Sequence, residues 1–475
     1  MKTRDAATQT IAIVGGGVSG TLAAYHLLQH CVDARVIVIE PRPELGLGLA
    51  YSTPSLRHLL NVPAGKISAM PAKQDHFLNW LRAHYDTAAD DMTFAPRAVF
   101  GRYIHSLVED IGLEQICASV VDYRAVSAGA VLTLDDGQEL QADLVVLATG
   151  NFAPAALPGV GEDAIKAGAY CHDAWADTTY ANLDPEASIV LIGTGLTGVD
   201  VVLRLRELGH RGRITAISRH GVFPSRHALS TPIAESTIPQ NTQPTCLAYL
   251  RAFRMAIRGG ADWRAAIDSL RATTNDLWLA LPLQEQQRFR RHLQRSWDIV
   301  RHRMAPPIAD VIDAELWGGT LVIRKGHLSG VEAEDSGTVV SIRTAHTTER
   351  FGAARVINCT GPSMNYRRVD SPLLHRLFEQ GLVSAGPLGG GFQCGHDGAI
   401  MDANGEVSER IYNLGPGRLG TLLESIAIPE IREQAVGLAE TLRSRLNLTR
   451  NFQLGMQSQV AGNQLTKLPV QGSAA

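Results

Sequence analysis

Residues 10–40 read TIAIVGGGVSGTLAAYHLLQHCVDARVIVIE, and this stretch decides the fold. The apolar run from Ile11 to Val14 predicts a strand that enters Gly15, Gly17 and Gly20 in G-x-G-x-x-G spacing. An alanine- and leucine-rich segment beginning Val18-Ser19 predicts a helix, and a second apolar run ends in Glu40. In such a unit the first glycine permits the turn and the second lets a pyrophosphate approach the backbone at the helix N-terminus. The third lets helix pack on strand, and the acid accepts hydrogen bonds from a ribose. Strand, turn, helix and acid in the right order predict dinucleotide binding, where a bare glycine-rich turn would not.

Outward from this unit, residues 41–70 carry Gly46, Gly48, Gly65 and several prolines, which forbid a long helix and predict a loop. Asn61 lies in its LLNVPAG run and is a candidate cofactor contact, with a plain surface excursion the equally open reading of this loop. Residues 74–111 are helical in character, with Phe77, Leu78 and Leu81 on one face. Period-two alternation then leads through the turn signal Asp136-Gly137 into a buried strand that ends at Ala148-Thr149-Gly150.

The pattern then starts again. Ser188 to Ile192 predicts a strand, and Gly193, Gly195 and Gly198 repeat the glycine spacing. A helix and the strand RITAISR follow, and a second meander leads into AARVINCTG, ending at Cys359-Thr360-Gly361. Two copies of one unit in one chain predict an α/β protein with two Rossmann-like dinucleotide-binding domains and a relay between two nucleotides. The copies differ where the first has Glu40, because the second has Ser218 and Arg219. A carboxylate would repel a 2′-phosphate, whereas an arginine pairs with it, so the first site suits FAD and the second NADPH. The expected division is an FAD-binding part over residues 1–183 and an NADPH-binding domain over 184–354. A second FAD-binding part follows over 355–450, then a flexible tail over 451–475.

Within the second unit, about residues 242–305 predict a helical insertion. Trp263, Ala266, Ile267 and Leu270 share one face, and Phe289, Leu293, Trp297 and Val300 share the face of another helix. That helix also carries Arg288, Arg290, Arg291, Arg295, Arg301 and Arg303. A solvated face is the commoner meaning of such a run. The alternative is a set of arginines aimed into an interdomain cleft, since the chain turns at Pro306 and Pro307. Near the end, a strand from Ile411 to Leu414 meets a glycine-rich turn at Gly415 before a helical stretch, a second place for backbone N–H groups to meet the flavin.

Composition bounds the function. The chain has 475 residues and a net charge of −3 with both signs interspersed, which predicts two or three domains and advertises no nucleic acid. The six cysteines form no C-x-x-C, which argues against a redox dithiol or a zinc site and predicts no metal. With neither a signal-peptide pattern nor a membrane-length apolar run, the expectation is a cytoplasmic protein with no membrane partner. Oligomeric state is not legible.

The layout resembles the two-dinucleotide-binding flavoproteins, which include flavin-containing and N-hydroxylating monooxygenases. Within them it is similar to a bacterial FAD/NAD(P)-binding protein family, through GLGLAYST, LLNVPAG, FGRYI, LIGTGLTGVD, RHRMAPP and LGPGRLGTLLESIAIPEIR. It also resembles the nitrosuccinate-forming aspartate N-monooxygenases. The flavin-containing monooxygenase signature is matched in part: Gly168 and His172 keep its G-x-x-x-H spacing, Lys166 stands where its phenylalanine would be, and Trp175 falls one residue early. The resemblance implies an FAD- and NADPH-dependent oxidoreductase using molecular oxygen to hydroxylate the amine nitrogen of a small amino-acid-like substrate. An acidic substrate would need cations, and Lys66, Arg290, Arg291 and Arg418 are the candidates. The residues themselves leave two other readings open, a flavin reductase or dehydrogenase without oxygen insertion and a non-catalytic FAD-binding partner protein. No Ser/His/Asp set, metal cluster or carboxylate pair is visible, so no catalytic side chain is assigned.

Overall fold

The computed structural model describes residues 9–30, 34–334 and 337–465, with 447–465 described as backbone only. Its centre is the strand Gln9–Val14, which pairs in parallel with Ala34–Ile39 on one side and Leu144–Leu147 on the other. Glu114–Ile116 extends the first side, and Val407–Asn413 with the antiparallel Ala399–Met401 extends the second. IAIV, VIVI and LVVL are apolar on both faces because both faces of this sheet are covered. Ile11 and Ile13 pack in one cluster with Leu22, Leu438 and Leu442, while Ala12 and Val14 pack in another with Leu132 and Phe392.

The second sheet repeats this plan. It runs in the order Leu321–Lys325, Ile214–Ser218, Ile189–Ile192, Arg355–Asn358 and Tyr170–Cys171, with parallel pairing throughout. In each copy the strand leading to Thr-Gly lies beside its own unit's first strand, Leu144–Leu147 beside Gln9–Val14 and Arg355–Asn358 beside Ile189–Ile192. The expected divisions at 183/184 and 354/355 are therefore displaced. Arg355–Asn358 and Tyr170–Cys171 belong to the second sheet, because hydrogen bonding to the second unit, and not chain order, decides where they sit. Each copy also carries a three-stranded antiparallel meander, Val120–Val126 to Ala142 in the first and His327–Glu334 to Ala353 in the second.

The loop after the first unit bridges the two sheets. Arg97, at the start of the helix Arg97–Ser106, reaches the Asp200 carboxylate at 2.5 Å on the helix Leu196–Glu207 and lies over the Trp175 ring. His58 Nε2 lies 3.0 Å from the Asp200 backbone oxygen while its Nδ1 meets Thr53 Oγ1 at 2.6 Å. Burial lowers the His58 pKa, so the ring sits there neutral.

Between residues 246 and 301 the chain forms the helices Cys246–Arg258, Trp263–Ser269, Thr274–Ala280, Leu283–His292 and Gln294–Arg301. The expected single helix through Phe289, Leu293 and Trp297 is broken at Leu293, whose φ of −116° departs from helical geometry. The insertion docks on the segment after Gly415. Trp278 Nε1 donates to the Thr421 carbonyl, Asn275 Oδ1 accepts from the Leu423 and Glu424 amides, and Trp297 Nε1 donates to Glu424 Oε1. The tail expected from residue 451 begins in the helix Ile428–Leu465, and residues 466–475 lie outside the described residues.

Candidate functional site

The two glycine turns have the same construction. Gly15 and Gly193 have φ of 104° and 121°, a region that side chains avoid. A Cβ on either would run into a carbonyl oxygen of the neighbouring Thr-Gly strand, that of Ala148 or of Cys359. Gly20 and Gly198 are pressed in turn against the carbonyls of Gly15 and Gly193, so both helices lie directly on their turns. The glycines between differ. A Cβ at Gly17 would meet Gly48 Cα at 3.3 Å, and one at Gly195 would meet nothing within 4 Å. Gly150 and Gly361, at the ends of the Thr-Gly strands, are likewise open. The surface above the second helix N-terminus and at the ends of both Thr-Gly strands is thus left free where a pyrophosphate would lie, while Gly48 lies against Gly17 at the first turn.

Glu40 is buried beside the first turn. Its Oε2 accepts from the Gly16 amide at 2.8 Å, and its Oε1 accepts from Arg42 Nε at 2.7 Å. The Arg42 amide also donates to Oε1, at 3.3 Å, so of the about four hydrogen bonds a carboxylate accepts, capacity for about one to a ribose hydroxyl remains. Gly415 closes the far side of this turn. Its φ of 84° aims the chain so that a Cβ would overlap Ser19 Oγ, and Gln434 and Ser425 hold its amide and carbonyl. The turn at Gly415 continues as the short 3-10 stretch Pro416–Gly420, and the long helix begins only at Ile428.

At the second turn, Ser218 Oγ accepts from Thr194 Oγ1 at 2.9 Å and from the Gly221 amide at 3.0 Å, which fixes the strand end. Arg219 projects exposed beside it. Arg295, reaching over from the insertion, donates to Thr194 Oγ1 and to the Val222 carbonyl. The His220 pKa is lowered by burial and then by Arg219, Arg295 and Lys325, so the charges around this strand end share one sign.

Between the two units lies a polar cavity of about 240 Å³. Asn61 and Lys66 reach it from the loop after the first unit, His227 from the segment after the second turn, and Arg271, Arg301 and Arg303 from the insertion. Arg303 Nη2 contacts Asp268 at 2.5 Å. The other arginine pairings are long: Arg301 to Glu430 at 3.5 Å and to Glu424 at 3.7 Å, and Arg271 to Glu430 at 3.7 Å. Burial, reinforced by Arg303, pushes the His227 pKa down to about 4. A second cavity of similar size, lined by Trp278, Phe289, Trp297 and other apolar groups, lies inside the insertion. Among the described residues no His/Cys/Asp/Glu group could hold a metal, and no helix is long and apolar enough to cross a membrane.

Residues 12–152 match the family described as FAD-NAD(P)-binding. Among curated proteins, the uncharacterized protein YdhS of Escherichia coli K12 is 26% identical over 234 residues, 45% of this chain and 42% of its own length. The alignment thus spans less than half of that relative. Over 92% of its length the chain resembles solved structures. One is the ornithine N-hydroxylase of Kutzneria sp. 744, determined with reduced FAD, NADP+ and L-ornithine, with a TM-score of 0.65 and 15% identity over 92% of this chain and 99% of the other. Another is the bacillithiol disulfide reductase of Staphylococcus aureus, with a TM-score of 0.57 and 13% identity over 92% and 98%. At such identities they establish the fold and not the reaction.

The fold brings Gly15, Gly17, Val18, Ser19, Gly20, Glu40 and Gly415 together around one turn, with Thr149 and Gly150 at the end of the adjacent strand. Gly193, Gly195, Gly198, Ser218, Arg219 and Gly361 surround the other. The expected cation cluster is not formed. Arg418 is buried and donates to the Gly395 and His396 carbonyls, Arg290 lies over Trp278 and bonds Gln294, and Arg291 is exposed. Of the four candidates, Lys66 alone lines the polar cavity, where it meets Arg271, Arg301, Arg303 and His227. RHRMAPP carried the legible signal, since Arg301 and Arg303 sit just before the proline turn. Arg271 and His227 carried none.

Proposed function

We propose that the chain is an FAD- and NADPH-dependent monooxygenase that hydroxylates the amine nitrogen of a small amino-acid-like substrate. The observation that supports the reading is the polar cavity between the loop at residues 61–66, the segment at 227–233 and the insertion, which is small, charged and lined by no cysteine. A small polar molecule fits such a cavity, and a disulfide has no thiol partner there. Burial raises the thiol pKa of Cys171, Cys246, Cys359 and Cys394, so these side chains are poor nucleophiles.

In this reading the first turn takes the FAD pyrophosphate on the Gly17–Ser19 backbone and Glu40 takes the ribose. The second turn takes NADPH, with Arg219 pairing the 2′-phosphate. FAD supplies the redox chemistry, accepting a hydride from NADPH and activating oxygen. The protein's part is to hold the substrate amine near the flavin in its neutral, nucleophilic form and to limit water. His227, neutral at pH 7 by its lowered pKa, presents an imidazole nitrogen that can accept a hydrogen bond from that amine. A second reading, reduction of a small acceptor without oxygen insertion, is favoured by the likeness to the disulfide reductase.

Incubation with NADPH, isotopically labelled oxygen and a panel of amino acids and amines separates the two. The monooxygenase should yield an N-hydroxylated product carrying the label. NADPH oxidation with unlabelled products across the panel would leave only the reductase reading.

A further inference from the structure

We propose that the polar cavity binds the carboxylate group of a small ligand, with Arg303 and Arg301 as the donors and Lys66 at the mouth. The inference uses the flavoenzyme reading only to call that ligand a substrate, and the binding itself stands apart from it.

The first support is a set of unanswered hydrogen-bonding groups. Arg303 is 5% exposed and Arg301 8%, yet Arg303 Nε and Nη1 and Arg301 Nε and Nη2 have no hydrogen-bond partner. Arg271 Nε and His227 Nδ1 in the same walls are also unpartnered. Buried guanidinium groups are normally fully bonded, because each lost hydrogen bond leaves a desolvated donor. Burial lowers the pKa of both Arg303 and Arg271, the mark of a desolvation cost that nearby carboxylates do not cancel.

The second support is charge. Lys66, Arg271, Arg301 and Arg303 line the cavity against one lining carboxylate, Asp268; Glu424 and Glu430 lie 3.5–3.7 Å from Arg301 and Arg271, and Arg264 acts on His227 and Arg303, so positive charge is in excess. His227 is neutral and adds none at pH 7. A planar carboxylate with two acceptor oxygens offsets part of that excess and matches the forked donors of an arginine. The volume, about 240 Å³, is below that of drug-sized pockets and suits a metabolite.

The test is calorimetric titration of the FAD-loaded protein with propionate and with its uncharged analogue propionamide, at constant chloride. Propionate should bind at least about tenfold more tightly than propionamide, since the amide lacks the charge that the donors require. Arg303→Gln should weaken propionate by about tenfold or more while leaving propionamide unchanged. Arg303 is the chosen position because its partner Asp268 is 39% exposed and can be rehydrated, whereas loss of Arg301 would strand the buried Glu424. Arg303→Lys should retain part of the affinity, and Lys66→Gln should weaken it a few-fold without touching the core.

Equal binding of propionate and propionamide by the unaltered protein overturns the proposal. So does wild-type propionate affinity in an Arg303→Gln protein that melts normally. FAD content and anaerobic flavin reduction by NADPH are recorded in the same samples. A protein that binds propionate without reducing flavin refutes the function and keeps the site, and the converse keeps the function and refutes the site.

Discussion

Two neighbouring glycines of the second turn should respond to the same substitution in opposite ways. Gly195 has φ −83° and ψ −173°, extended backbone that alanine adopts, and its Cβ would meet no protein atom within 4 Å. Gly195→Ala should therefore change stability by no more than about 0.5 kcal/mol. The added methyl group would instead occupy the space above the helix N-terminus and hold a pyrophosphate off the backbone amides. Losing one charge-assisted hydrogen bond costs about 1.5–3 kcal/mol, which raises the NADPH concentration for half-maximal flavin reduction by about 10- to 150-fold. Gly198 is three residues on, and its Cβ would lie 2.8 Å from the Gly193 carbonyl oxygen. There the overpacking costs about 1–3 kcal/mol and helix propensity returns about 1 kcal/mol, for a net loss of up to about 2 kcal/mol. Thermal melts of the FAD-loaded variants and anaerobic flavin bleaching at graded NADPH measure both effects. Wild-type NADPH dependence in a normally melting Gly195→Ala protein would show that the nucleotide does not cross this turn, and the assignment of the second site would fall.

Two further outcomes follow from the same geometry. Arg219→Ala should raise the Michaelis constant for NADPH with little effect on NADH, shrinking the preference by roughly one to two powers of ten, as steady-state kinetics with both nucleotides would measure; an unchanged ratio removes the 2′-phosphate role. The His227 pKa is lowered to about 4, chiefly by burial, with Arg303, Lys66 and Arg264 adding to the shift and Asp268 opposing it. Unfolded His227 takes up a proton near pH 6.5 while the folded ring stays neutral, so its stabilising contribution is present above pH 6.5 and lost as pH falls toward 4. Denaturant melts between pH 7 and 4.5 should fall less steeply for His227→Gln than for the unaltered protein; parallel curves would refute the assignment.

What the sequence determined is the repeated unit and its chemistry. A strand entering G-x-G-x-x-G and leaving through a helix is a local demand on the backbone, and Gly15, Gly20, Gly193 and Gly198 sit where side chains would strike a carbonyl. Alternation marked both meanders, and Glu40 against Arg219 marked the two strand ends, because each of these signals lies within one short stretch. The boundaries at 183/184 and 354/355 were not legible, since Tyr170–Cys171 and Arg355–Asn358 choose their sheet by pairing with a strand distant in the chain. The cavity was legible only in part. Arginine spacing before the proline turn hinted at Arg301 and Arg303, while Arg418 looked free and is consumed by the Gly395 and His396 carbonyls. Whether an arginine is solvated, bonded to backbone or left with open donors depends on what long-range packing sets against it. Tertiary structure alone brings residues 61–66, 227, 271 and 301–303 to one place.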